Sequence, residues 1–272
     1  MITSLRRILF IALALFIVPQ SSSVSLGSLK ALFQKREAVV PNDKIGIIKI
    51  IGKIELESTE RILKKIIDFT EDSNVKGILL VISSSGGSSA ATELLFREIK
   101  SLASTKPIVT LVIIECSSGS YKIATGTNWI IAPAASTIGS IGTVQVIERH
   151  KNQHIKNQGG YEADVEYEVI QGGKYKSVYY PEAPALTQEQ REYLQADTNE
   201  IYAIFYTLVS QQRNLSLNTL QEWADGKVFT GQAALKMGLI DQIGGYSDAV
   251  KKLKELIEQS GVILNLKFTF VE

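Results

Sequence analysis

The chain has one cysteine, Cys116, and two histidines, His150 and His154, among 272 residues. A single thiol closes no disulfide within the chain and builds no cysteine-rich metal centre, and two histidines leave little for a zinc enzyme. No metal or other cofactor is therefore expected. A charge excess is missing as well, with 29 Lys and Arg against 28 Asp and Glu. Without a basic stripe carrying interleaved aromatics, nothing points to nucleic acid as a partner. The N-terminal apolar run, residues 8–18, is short: as a helix it covers about 17 Å at about 1.5 Å per residue, against a hydrocarbon core of about 30 Å. Arg6 and Arg7 precede it, and Pro19 and Gln20-Ser21-Ser22-Ser23 follow. That charged, apolar, small-residue order is the order of a secretory signal. Residues 1–23 are read as a signal peptide or short signal anchor, 24–42 as a linker with Lys30, Lys35 and Arg36, and 43–272 as one folded domain.

What is present is enough apolar content, 45% with 21% charged, to bury a substantial core. From Lys44 the pattern alternates. Residues 45–51 read as a strand, 58–70 as a helix capped by Ser58 with Ile62, Ile66 and Phe69 on one side, and 77–82 as a second, fully buried strand. That strand runs into Ser83-Ser84-Ser85-Gly86-Gly87-Ser88. A helix to about residue 104 carries Ala91, Leu94, Leu95 and Leu102 on one face, and Pro107 opens a third strand, apolar on both faces to Ile114. A short helix and the apolar Trp129-Ile130-Ile131 follow. The glycine-spaced stretch 136–143 suits close backbone approach by a ligand. Residues 148–160, with both histidines, read as a polar loop or flap, and 163–170 resume strand alternation. Thr187 and Gln190 form a capping box for a long helix lined by Leu194, Ile201, Ile204, Phe205 and Leu208. Alternation of this kind predicts an α/β fold with a mostly parallel sheet and ligand sites at the carboxyl ends of its strands.

The third strand ends in Glu115-Cys116-Ser117-Ser118-Gly119-Ser120-Tyr121, where a strand-to-helix turn can hold a hydroxyl at the top of a sheet. Ser118 is the candidate nucleophile, and Cys116 is either its rival or a small buried residue. A serine needs a base to take its proton. His150 and His154 lie in the polar stretch. Lys176, which follows Gly172-Gly173, is the alternative, either a desolvated base or an ordinary solvated lysine. Lowering a lysine from about 10.4 to between about 7 and 8 costs roughly 4 kcal/mol, which an apolar site can supply. Backbone amides of Gly119 and Gly87 could receive a developing oxyanion, although Gly86-Gly87 could equally be the turn before a helix.

Together these segments resemble the SppA-like signal peptide peptidases, peptidase family S49, over about residues 44–255. The family's Ser-Pro-Gly-Gly-Ser appears as residues 84–88 with Ser85 in place of proline, and its Ala-Ser-Gly-Gly-Tyr-Tyr-Ile-Ala as residues 117–124. In the second motif Ser120 replaces a glycine and Lys122 an aromatic. Ile-Gly-Ser-Ile-Gly is intact at 138–142 and Gly-Lys-Tyr-Lys-Ser at 173–177, and the closing Asp-Gly-Arg-Val-Phe-Thr-Gly matches 225–231. The resemblance implies the Clp protease/crotonase-like fold. It also implies a Ser-Lys dyad of Ser118 and Lys176, an oxyanion hole at Gly87 and Gly119, and a lysine-orienting Ser140. It further implies peptide substrates such as cleaved signal peptides or membrane-associated segments, a homo-oligomer, and work at the extracytoplasmic face of a membrane. The alternatives on the same fold are a non-catalytic peptide-binding scaffold and an acyl-CoA enzyme.

Overall fold

The structure, a computed structural model, describes residues 43–149, 153–156, 162–165, 168–262 and 269–272. The expected signal segment and linker lie outside the described residues. In chain order the elements are β1 (Lys44–Ile51), α1 (Leu56–Glu71), β2 (Val75–Ser84), α2 (Ser89–Ala103), β3 (Ile108–Ser117), α3 (Gly119–Ala124), β4 (Trp129–Ala132) and β5 (Thr137–Gly139). After them come β6 (Gln153–Lys156), β7 (Glu162–Val165), α4 (Gln188–Arg213), α5 (Leu220–Trp223), β8 (Val228–Thr230), α6 (Gly231–Lys236), β9 (Gln242–Ile243), α7 (Tyr246–Gln259) and β10 (Thr269–Val271). The main sheet runs β10-β1-β2-β3-β4-β9, with β5 paired to the far end of β3 and β8 to β5. Every pairing in it is parallel except β5 with β8.

Parallel strands joined by helical crossovers are covered on both faces, and their sequences read as continuous apolar runs for that reason. In β2, Ile78, Leu80 and Ile82 face a core shared with Ile62 and Ile66 of α1, Leu95 and Ile99 of α2, and Phe205 and Val209 of α4. The alternate residues Leu79 and Val81 face Ala249, Leu253 and Ile257 of α7. The same period of two places Ile45 and Ile47 of β1 on the α7 side and Ile48 and Ile50 on the other. The result is the predicted mixed α/β architecture, a mostly parallel sheet with flanking helices, in agreement with the Clp protease/crotonase-like fold.

Several local expectations are corrected. The first helix is capped at Glu55. Ser58 sits three residues on, accepts from the Glu55 N–H at 2.9 Å and donates back to the Glu55 carbonyl. Part of the stretch read as a polar loop is a strand, because β6 pairs antiparallel with β7. Of the strand expected over 163–170, the described strand β7 covers Glu162–Val165, and residues 168–170 have no regular structure. Leu94 and Ile204 point to solvent from helices whose neighbouring apolar residues are buried. The third strand also loses its cover early, leaving Ile113 48% and Ile114 67% exposed. The Thr187–Gln190 capping box is present, with Thr187 Oγ1 accepting from Gln190 N at 3.2 Å. Among the described residues, no helix is long and apolar enough to cross a membrane.

Candidate functional site

The site grows from the carboxyl ends of β2, β3 and β5. Ser84 of β2 lies beside Cys116 of β3, and Ser117 beside Gly139 of β5, so three strands stop at one level. Ser118 follows at φ 53°, ψ −127°, a conformation that non-glycine residues rarely adopt and that costs about 1–3 kcal/mol. Its amide donates to the Gly139 carbonyl at 2.7 Å, and its carbonyl accepts from Lys122 N at 3.0 Å, fixing the elbow between strand and helix. Ser118 is partly exposed, and its hydroxyl makes no hydrogen bond among the described residues; the neighbouring Ser117 Oγ is buried without a partner.

Two amides are left over beside it. A parallel bridge joins Gly87 to Ile54 through the Gly86 carbonyl, which accepts from Ile54 N at 2.8 Å, and the Ser88 amide, which donates to Ile54 O at 3.0 Å. The Gly87 N–H therefore faces the other way. Gly119 opens α3, so its N–H has no acceptor within the helix. The loop after β2 runs in contact with the elbow: a Cβ on Gly86 would stand 2.7 Å from Gly119 N and 2.9 Å from Ser118 Cβ. Gly86 also has φ 97°, so both space and backbone demand glycine there. The hydroxyl of Ser120, fully buried, lies 2.7 Å from the Ser84 carbonyl and 2.8 Å from that of Ser117 and donates between them. The serine that stands where the resembled family has glycine thus ties β2 to β3 directly below Ser118.

Ser140 follows Gly139 at φ 50°, with its amide donating to the Lys227 carbonyl at 2.7 Å. Gly139 itself accommodates β8, because a Cβ there would meet the Lys227 carbonyl and the Phe229 ring at 3.1 Å. The close approach foreseen for this stretch is therefore occupied by the protein's own strand.

Cys116 is fully buried, and desolvation pushes its thiol up to about 12, which removes it as a rival nucleophile. Lys122 is only 3% exposed, one turn from Ser118, with Nζ 4.9 Å from the Phe205 ring centroid. Burial holds its ammonium below the usual lysine range, and the Glu93 carboxylate opposes that shift.

A sequence model for peptidase family S49 matches residues 100–260, more than half of the chain. The chain belongs to peptidase family S49. It is 39% identical to the protein named "Putative protease MJ0651" of Methanocaldococcus jannaschii, over 71% of this chain and 60% of that protein. To "Serine protease SPPA, chloroplastic" of Arabidopsis thaliana it is 32% identical, over 85% of this chain and 34% of that protein. To "Protease 4" of Haemophilus influenzae it is 31% identical, over 81% of this chain and 36% of that protein. The chain thus spans just under two thirds of the first relative and about a third of the other two.

In this S49 chain the structure brings Ser118, Gly119, Gly87 and Ser140 to one rim. It does not bring Lys176 there by any described contact. Lys176 is exposed in a run of turns over residues 172–179 rather than at a strand end, with its amide donating to Gly173 O at 3.1 Å. His150 lies outside the described residues, and His154 falls in β6. Sequence reasoning gave Gly86 no role beyond a turn and passed over Thr92 and Arg149. Thr92, buried in α2, limits the space at Gly119, since a Cβ there would stand 2.4 Å from Thr92 Cγ2. Only the doubled glycine gave any signal for the first. The other two depend on contacts between distant segments.

Proposed function

We propose that the chain is a serine endopeptidase in which Ser118 is the nucleophile and Lys176 the general base. The observation that carries this reading is the elbow itself: a free hydroxyl on a left-handed backbone, flanked by the uncommitted amides of Gly87 and Gly119. Ser118 Oγ attacks the scissile carbonyl while its proton passes to a neutral Lys176 Nζ. The carbonyl oxygen, now anionic, accepts from the two glycine amides. Collapse breaks the C–N bond, Lys176 returns the proton to the departing amine, and water hydrolyses the acyl-enzyme by the reverse use of the same groups. Ser140 orients the lysine amine.

The reaction needs the neutral amine, which desolvation favours, so the proposal has Lys176 lose solvent before it acts. Its position in the isolated chain supports an assembly in which a second copy covers it, and a homo-oligomer is part of the proposal. The substrates proposed are peptides, in the first place cleaved signal peptides and other membrane-associated segments, met at the extracytoplasmic face of a membrane. The exposure of Lys176 also favours a second reading, a peptide-binding scaffold without turnover.

The test uses the full chain. Peptide hydrolysis is expected in the wild type and is expected to fall by at least about 100-fold in Ser118→Ala and in Lys176→Ala. Mixing the two inactive variants restores part of the activity if the lysine is supplied by a neighbour. Full activity in either single variant refutes the dyad. Failure of folded wild type to react at Ser118 with a serine-directed acylating probe establishes the scaffold instead.

A further inference from the structure

We propose that Arg149 is a positioning residue that holds Lys176 at its working place, an inference that rests on the Ser-Lys reading above. The residues after Ser140 form an extended strap in which alternate side chains turn inward. Gln145 donates from Nε2 to Asp197 Oδ2 of α4 at 2.7 Å. Ile147 lines a pocket of about 390 Å³ together with Leu186 and Leu194 of the facing segments. Arg149 reaches the lysine-bearing turns: Nη2 donates to the Val178 carbonyl at 2.9 Å and Nη1 to the Tyr180 carbonyl at 3.1 Å. Nη1 also lies 2.9 Å from the Glu148 carbonyl, which locks the guanidinium to its own backbone. The strap begins at the rim of the site, where the Ser140 amide is fixed to Lys227 O and the Ile141 carbonyl accepts from Gly226 N at 3.1 Å. One continuous segment therefore joins the neighbour of Ser118 to the carrier of Lys176.

The turns are gripped from both ends. On the N-terminal side, Gln190 of α4 donates to the Lys174 carbonyl at 3.0 Å and Tyr175 Oη donates to Glu189 at 3.0 Å. On the C-terminal side, Gln171 Oε1 accepts from Ser177 N at 3.2 Å, and Arg149 holds the carbonyls of Val178 and Tyr180. Ser177 and Val178 are buried, while Lys176 projects outward between the two grips. The two Nη atoms of one planar fork meet two carbonyls two residues apart, whereas a lysine at 149 would bring a single nitrogen to both. Arg149 Nε is buried without an acceptor, so the orientation of the guanidinium is set by those carbonyls. If the turn is released, the amine drifts. A displacement of about 1 Å at a reacting group costs about 100-fold in rate.

The experiment compares Arg149→Ala, Arg149→Lys and Lys176→Ala with wild-type full chain in peptide hydrolysis. In Arg149→Ala, kcat is expected to fall between about 10-fold and about 100-fold with KM changed by less than about twofold, and Arg149→Lys is expected to fall less far. Guanidinium at about 10 mM, well below denaturing concentration, is expected to restore part of kcat in Arg149→Ala and none in Lys176→Ala. An Arg149→Ala with unchanged kcat beside an inactive Lys176→Ala overturns this proposal alone. So does a loss of kcat that tracks loss of thermal stability, or one that guanidinium does not relieve. A fully active Lys176→Ala overturns the dyad, and this proposal with it.

Discussion

Replacing Gly119 by alanine tests how tightly α2 presses on the elbow. The new Cβ would stand 2.4 Å from Thr92 Cγ2, 2.8 Å from its Oγ1 and 2.9 Å from its Cβ. Carbon atoms settle at about 3.5–4.0 Å, so α2 and α3 must separate by about 1 Å or Thr92 must leave its rotamer. Gly119 has no left-handed φ, so the alanine itself is unstrained and the whole penalty comes from overlap. Overpacking of this kind costs about 1–3 kcal/mol, and about 2 kcal/mol is expected here because Thr92 is fully buried and has nowhere to turn. Thr92→Ala removes two of the three clashing atoms, at a cost of about 1 kcal/mol for the lost methyl and hydroxyl contacts. In that background Gly119→Ala should cost at least about 1 kcal/mol less than it does alone. Urea unfolding of the wild type, both single variants and the double variant measures the coupling from midpoints at a common m-value. Additivity within about 0.3 kcal/mol would refute the contact.

Two further outcomes follow from buried groups. Lys122→Met should be more stable than wild type at pH 7 by about 1 kcal/mol, the low end for exchanging a buried ion for packed apolar volume, because the contact over Phe205 is lost. Burial lowers the folded-state pKa of Lys122 below its ordinary 10.5, so the unfolded chain binds more protons in the alkaline range and wild-type stability gains with pH there. The advantage of the variant should therefore shrink as the pH nears 10.5; unfolding midpoints that differ equally at pH 7 and pH 10 would sink this account. The Cys116 thiol, fully buried and pushed up to about 12, should resist a disulfide reagent at pH 8 in the folded chain and react once urea unfolds it. Rapid labelling of native protein would show that β3 opens at its end.

The strands were legible because parallel strands covered on both faces leave mostly apolar runs, and β1, β2 and the first half of β3 are such runs, interrupted only by Lys49, Lys76 and Thr110 and by glycine. The capping box at Thr187 was legible because it is a local pattern. Ser58 misled because a hydroxyl three residues inside a helix serves its first turn as readily as one at the cap. The elbow at Ser118 could be placed from the end of an apolar run followed by small residues, yet its handedness could not, since φ there is imposed by the bond to Gly139 and the crowding at Gly86. Lys122 could be read only as a replacement for an aromatic. Its burial under Phe205 arises from packing across 83 positions in sequence, which no local pattern encodes. Arg149 was silent for the same reason: both carbonyls that it holds belong to a segment about thirty residues away.

The exposed pair Ile113 and Ile114 marks where β3 changes company. Up to Leu111 its edge is shared with β4, which is backed by β9; from Glu115 the same edge belongs to β5, which leads to β8. One strand thus serves as foundation in its first half and as instrument mount in its second. Substitutions in β4 and β9 reach Ser118 only through the backbone of β3, whereas those in β5 and β8 bear on it across a hydrogen bond. Selection can retune the mount, where the serine stands, without disturbing the ground on which the fold rests.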